Sequence, residues 1–179
     1  MLSALVLLEG DPASPDPNAP LRAVTKSLGA LVGAVVDEVI ADAFVVGRPG
    51  PDLRAVQDGT GCDVVLDIAP GEALRRALER ARRPHILLLR AGHAPGPDFA
   101  GEVASFLAEG AKERALLLRA PAATLGERLT PGFAAWRRAA GLVASRTSLQ
   151  ALPASSLDAL RAIARALPVQ VARAGAVRL

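Results

Sequence analysis

Residues 85–103 read HILLLRAGHAPGPDFAGEV. The near-continuous apolar run 85–89 predicts a strand covered on both faces, since only a strand exposed on one side needs to alternate polar and apolar side chains. A Gly/Pro-rich loop with no acid before Asp98 follows. Residues 98–109 then repeat apolar side chains at helical spacing up to Gly110, a residue suited to closing a helix. Ligands of open α/β sheets bind outside the carboxyl ends of central strands, so the corner after residue 89 decides what the chain can do. That corner is Arg90-Ala91-Gly92-His93. A divalent cation that offsets a diphosphate's charge needs hard oxygen ligands, carboxylates above all, and a guanidinium, a glycine and an imidazole do not supply them.

Outward from this stretch, apolar runs alternate with helix-period segments, the pattern of an α/β domain with a mostly parallel central sheet. Strands are expected over 3–8, 38–46, 63–68, 85–89, 114–118, 142–145 and 169–171. Helices are expected over 21–35, from Asp52 as N-cap to near Gly59, and over 72–82, 98–109, 133–140 and 156–167, the last with Asp158 in its first turn. Leu21, Val24, Leu28, Leu31 and Val35 share one side of the first helix. Residues 9–20 carry Pro12, Pro15, Pro17 and Pro20 and cannot be regular structure. With no internal repeat and no linker, 1–179 is expected to form one three-layer domain.

Three segments together resemble an A-type, family 2-like glycosyltransferase domain. EALRRALERARRPHILLLRAGHAPGPDFAGEV (72–103) is similar to that family's helix, strand, metal loop and next helix, and the metal-site aspartate falls at or beside Gly92. DEVIADAFVVG (37–47) places Asp42 where the family's acid grips the donor's base and ribose, with Ala43, Phe44, Val45 and Val46 in place of the usual turn. AAGLVASRTSLQALP (139–153) resembles the strand behind an acceptor-side acidic motif, but Arg137, Arg138, Ala139 and Ala140 stand ahead of Gly141 where the catalytic acid belongs. In the first strand Leu7-Leu8-Glu9-Gly10-Asp11 replaces the family's proline and Asn-Glu, leaving Glu9 or Asp11 to reach a ribose hydroxyl or to stand as solvated loop acids.

The resemblance implies a nucleotide-diphospho-sugar-transferase-like fold and a degenerate glycosyltransferase. Its nucleotide or phosphate pocket would draw on Glu9, Asp11, Asp42, Arg90 and His93, with no divalent metal and no metal-dependent sugar transfer. Two alternatives stay open. One is a non-catalytic module assembling with its own copies or another protein through apolar surface such as 169–179; the other is sugar transfer with Arg and His in place of the cation.

Other chemistry is weakly represented. His85 and His93 stand at opposite ends of one strand, roughly 20 Å or more apart, and cannot share an ion. Arg90 can fork onto a phosphate, or pair with Asp42 or Asp67 at neighbouring strand ends. Gly59-Thr60-Gly61-Cys62 precedes a strand, whereas phosphate loops precede a helix, and neither a nucleophile elbow nor a P-loop is present. Phe133 and Trp136 are expected to pack a helix onto the sheet.

Composition narrows the partners. Net charge is +3, but the 21 basic residues are scattered among acids, and aromatics make up 3% with no Tyr, so neither a nucleic-acid footprint nor a stacking platform is expected. The lone Cys62 excludes an intrachain disulfide and suits a reducing cytoplasm. MLSALVLLEGD has no basic leader and reads as a first strand, and no apolar run is expected to reach the roughly 20 residues of a membrane span.

Overall fold

The computed structural model describes residues 1–9, 16, 18–49, 53–110, 114–121 and 138–179. Its strands are β1 (Leu2–Leu8), β2 (Ile40–Gly47), β3 (Asp63–Leu66), β4 (His85–Arg90), β5 (His93–Pro95), β6 (Ala115–Arg119), β7 (Ala139–Ser145), β8 (Val169–Val171) and β9 (Ala176–Arg178). The helices are α1 (Ala19–Val36), α2 (Leu53–Thr60), α3 (Pro70–Arg80), α4 (Phe99–Ala108), α5 (Arg146–Gln150) and α6 (Leu160–Ala166). Seven strands make one sheet in the order β3-β2-β1-β4-β7-β6-β8, and β5 pairs with β9 in a separate ribbon. Within the large sheet only β7 runs antiparallel to its neighbours β4 and β6.

The alternation of a buried strand explains the three layers. Ala4 and Val6 of β1 and Leu87 and Leu89 of β4 enter the core under α1, α2 and α4. Leu5 and Leu7, with Ile86 and Leu88, enter the opposite core under α3, α5 and α6. Each such fully buried Leu or Ile contributes on the order of 2 kcal/mol. The mostly parallel α/β architecture expected from the sequence is therefore the one observed.

Several local expectations are corrected. Residues 38–39 are not strand: Glu38 has φ 58 and Val39 donates to the Ala34 carbonyl, so the α1 cap runs directly into β2. Ala139 and Ala140 are not helical but open β7, a fully buried strand between β4 and β6, while 133–137, with Phe133 and Trp136, lie outside the described residues. Asp52 lies outside them too. Asp158 is not in a helix. A 3₁₀ turn (Ala154–Ser156) comes first and α6 begins at Leu160, because the Asp158 carboxylate accepts from Gly71 N–H at 3.0 Å and ties its loop to the start of α3.

α1 departs in two ways. Val24, Ser27, Leu28 and Leu31 face the sheet, but Val35 is exposed, with Val32 and Val36 beside it. The expectation that no apolar run approaches membrane-span length also fails: by length and composition Ala19–Val36, at a mean hydropathy of 1.3, is long and apolar enough to cross a bilayer. Residues 93–95, expected as loop, instead form a strand. Gly96 brings that ribbon so close to the C-terminal segment that a Cβ there would lie 2.2 Å from the Ala174 carbonyl oxygen.

Candidate functional site

β1 has β2 on one side and β4 on the other, both parallel to it, so successive strands leave it in opposite directions. The crossover helices change face there as well, α1 and α2 on one side and α3 on the other. A crevice opens outside the carboxyl ends of the strands at such a switch point. Here it is a cleft of about 730 Å³, floored by Leu7, Leu8, Val46 and Gly47, walled by Pro70 and Leu74 of α3 and by Leu157, Asp158 and Ala159, and edged by Glu9, Arg48, Arg90 and Arg161.

Register explains why Arg90 reaches it. Leu7 pairs with Arg90 across β1 and β4, and Arg90 continues the Ile86, Leu88 series that faces α3. Two residues past Leu7, Glu9 places Oε2 3.2 Å from Arg90 Nε, while its Oε1 accepts the Leu160 amide at 2.7 Å. Arg90 therefore pairs with Glu9 rather than with Asp42 or Asp67, and Asp67 is held by Arg76 at 2.8 Å. Among the described residues neither Arg48 nor Arg161 has an ion-pair partner.

Asp42 is not at this edge. It pairs with Ser3 at the amino end of β2, four residues and about 13 Å along the strand from Val46. There its Oδ2 accepts from the Arg82 amide at 3.4 Å and its buried Oδ1 has no partner. The strand runs on through Ala43–Val46 because Phe44 and Val46 enter one core and Val45 the other, so the family's acid-bearing turn has no counterpart at that position.

Nor does His93 face the cleft. Gly92 adopts φ 82, a left-handed conformation that glycine tolerates best, and turns the chain toward α1. There the buried Ser27 hydroxyl accepts from Gly92 N–H at 2.9 Å and His93 N–H at 3.2 Å and lies 2.8 Å from the His93 carbonyl, while Leu179 N–H donates to the Gly92 carbonyl at 2.9 Å. A Cβ on Gly92 would meet Ala23 at 3.6 Å. Burial, and then the charges of Arg90 and Arg178, push the His93 imidazole pKa down, against hydrogen bonds to backbone. His85 sits half-buried at the other end of β4, and Asp11 lies outside the described residues.

Of the five residues singled out in the sequence, the structure thus joins Glu9 and Arg90 and leaves Asp42 and His93 elsewhere. Arg48, Asp158 and Arg161 are additions. Arg48 was legible as the first residue after a parallel strand; Asp158 and Arg161 come from a C-terminal segment that folds back over the cleft, and no spacing in the sequence signals that return.

No family model matches the chain, and no curated protein matches it. Solved structures do. The chain is similar to glucosyl-3-phosphoglycerate synthase from Mycobacterium tuberculosis in complex with phosphoglyceric acid, at a TM-score of 0.61 and 18% identity over 99% of this chain and 72% of that one. The same synthase in complex with Mn²⁺, uridine diphosphate and phosphoglyceric acid gives 0.58 and 19%, over 99% and 70%. HddC from Yersinia pseudotuberculosis complexed with GMP-PN gives 0.57 and 11%, over 86% and 80%. The fold is that of an A-type glycosyltransferase domain.

The A-type fold implies a divalent cation at the end of β4, and among the described residues those at that corner do not offer it a set of carboxylates. Gly92 is turned to α1, Glu9 is held by a guanidinium and an amide, and Asp158 is committed to Gly71 N–H. Among the described residues no group of three or more His, Cys, Asp or Glu side chains converges.

Proposed function

We propose that the cleft of this A-type domain binds a nucleotide or nucleotide sugar and that the domain has lost metal-dependent sugar transfer. The observation that carries the reading is the Glu9–Arg90 pair at the switch point: the apolar floor suits a base, and the guanidinium at the strand end suits a phosphate. The solved structures with uridine diphosphate or GMP-PN support a nucleotide as the ligand class. Calorimetric titration with UDP, GDP and ADP and their glucose conjugates, next to a transfer assay in Mn²⁺ or Mg²⁺, tests it. Binding without transfer is expected; transfer that needs the metal would sink it.

A second reading, a non-catalytic module that assembles with its own copy, has the exposed apolar end of α1 behind it, where Val36 is 74% and Val32 58% exposed. Light scattering on a dilution series separates the two: a strictly monomeric chain leaves only the first.

A further inference from the structure

Glu9 is itself an anion seated at the edge of the cleft. One carboxylate oxygen lies against Arg90 and the other takes the Leu160 amide, so the site already shows how it holds an oxyanion, with the protein's own side chain in place. Arg48 and Arg161 line the same cleft, and among the described residues neither guanidinium has an ion-pair partner. Among the described residues the only other charged group on the lining is Asp158, whose Oδ1 accepts from Gly71 N–H.

We infer that this cleft takes a diphosphate group on Arg48, Arg90 and Arg161 with no divalent cation, and that Glu9 is the counter-charge the diphosphate displaces from Arg90. The inference rests on the nucleotide reading above and adds how the phosphates are held and what opposes them. A diphosphate carries more charge than one carboxylate and offers several oxygens to forked donors, so it outcompetes Glu9 for Arg90 once Arg48 and Arg161 also engage it. Guanidinium groups supply the positive charge that a cation supplies elsewhere, and a cation brought beside Arg90 would be repelled.

Inorganic pyrophosphate, titrated in EDTA into the full chain and its variants, separates the parts. Glu9→Gln keeps an oxygen acceptor for the Leu160 amide but removes the competing charge, and should tighten binding roughly tenfold. Arg90→Gln and Arg161→Gln should each weaken it by a similar factor, with circular dichroism verifying the fold of each variant. Unchanged affinity in Glu9→Gln, or pyrophosphate binding that requires Mn²⁺, overturns the inference. If pyrophosphate behaves as stated but no nucleoside diphosphate binds more tightly than it, the nucleotide reading fails and the anion site stands. If nucleoside diphosphates bind equally to wild type, Glu9→Gln and Arg90→Gln, the reverse holds.

Discussion

Glu9 leaves β1 and Arg90 ends β4, and the two meet at 3.2 Å across the carboxyl edge of neighbouring parallel strands, with Glu9 also holding the first amide of α6. One side chain thus joins the N-terminal half of the sheet to the C-terminal helix. Both partners are partly solvated, so the pair is worth less than a buried one. Glu9→Ala should lower stability by about 1 kcal/mol in urea denaturation and loosen the amides of 160–163 in hydrogen exchange, while Glu9→Gln should leave those amides close to wild type.

Gly92 stands where the resemblance puts a metal-binding aspartate, and restoring that acid should not restore the metal. Its φ of 82 disfavours a side chain by roughly 1 kcal/mol, and its Cβ would point to Ala23 in α1. Gly92→Asp is expected to lower the melting temperature slightly and to bind Mn²⁺ no better than wild type by electron paramagnetic resonance. A tight new Mn²⁺ signal would show that the corner can turn toward the cleft.

Ser27 is fully buried, and its one hydroxyl serves two amides and a carbonyl at the β4–β5 corner. Ser27→Ala leaves the His93 amide without this acceptor, at a cost of about 2 kcal/mol by denaturant titration. The β5–β9 ribbon should lose hydrogen-exchange protection first, since it packs on α1 through this corner.

The His93 pKa is pushed below its ordinary 6.5 by burial first and by Arg90 and Arg178 after it. Between the ordinary and the lowered value the unfolded chain binds a proton that the folded chain refuses, so stability falls as pH drops from above 6.5 through the folded pKa and then levels off. His85 is lowered in the same sense, by burial and then by the N-terminal ammonium, and adds to the slope. Denaturation curves from about pH 7 to pH 5 should show the decline, and His93→Gln should make it shallower. An identical decline in the variant would place the proton uptake elsewhere.

The layers of this fold were legible because they follow from runs and periods: β1 and β4 are apolar on both faces, and α3 carries Leu74, Ala77 and Leu78 on one. Direction and long-range return were not. Nothing in Ala139–Ser145 says that β7 runs antiparallel, and the three-residue strands β5 and β9 are too short for alternation to register. For the candidate site the gap was register. Asp42 shares β2 with the cleft residues, but four positions along a strand move it to the opposite edge of the sheet. Glu9 read equally well as a solvated acid, because its partners Arg90 and Leu160 are 81 and 151 residues away in sequence.

The source of positive charge in the cleft is the deciding quantity. Calorimetric titration of the full chain with one nucleoside diphosphate, in EDTA and again in Mn²⁺, measures it. Dissociation constants within about twofold of each other in the two buffers are predicted; binding that appears only with Mn²⁺, or tightens tenfold or more, would contradict it.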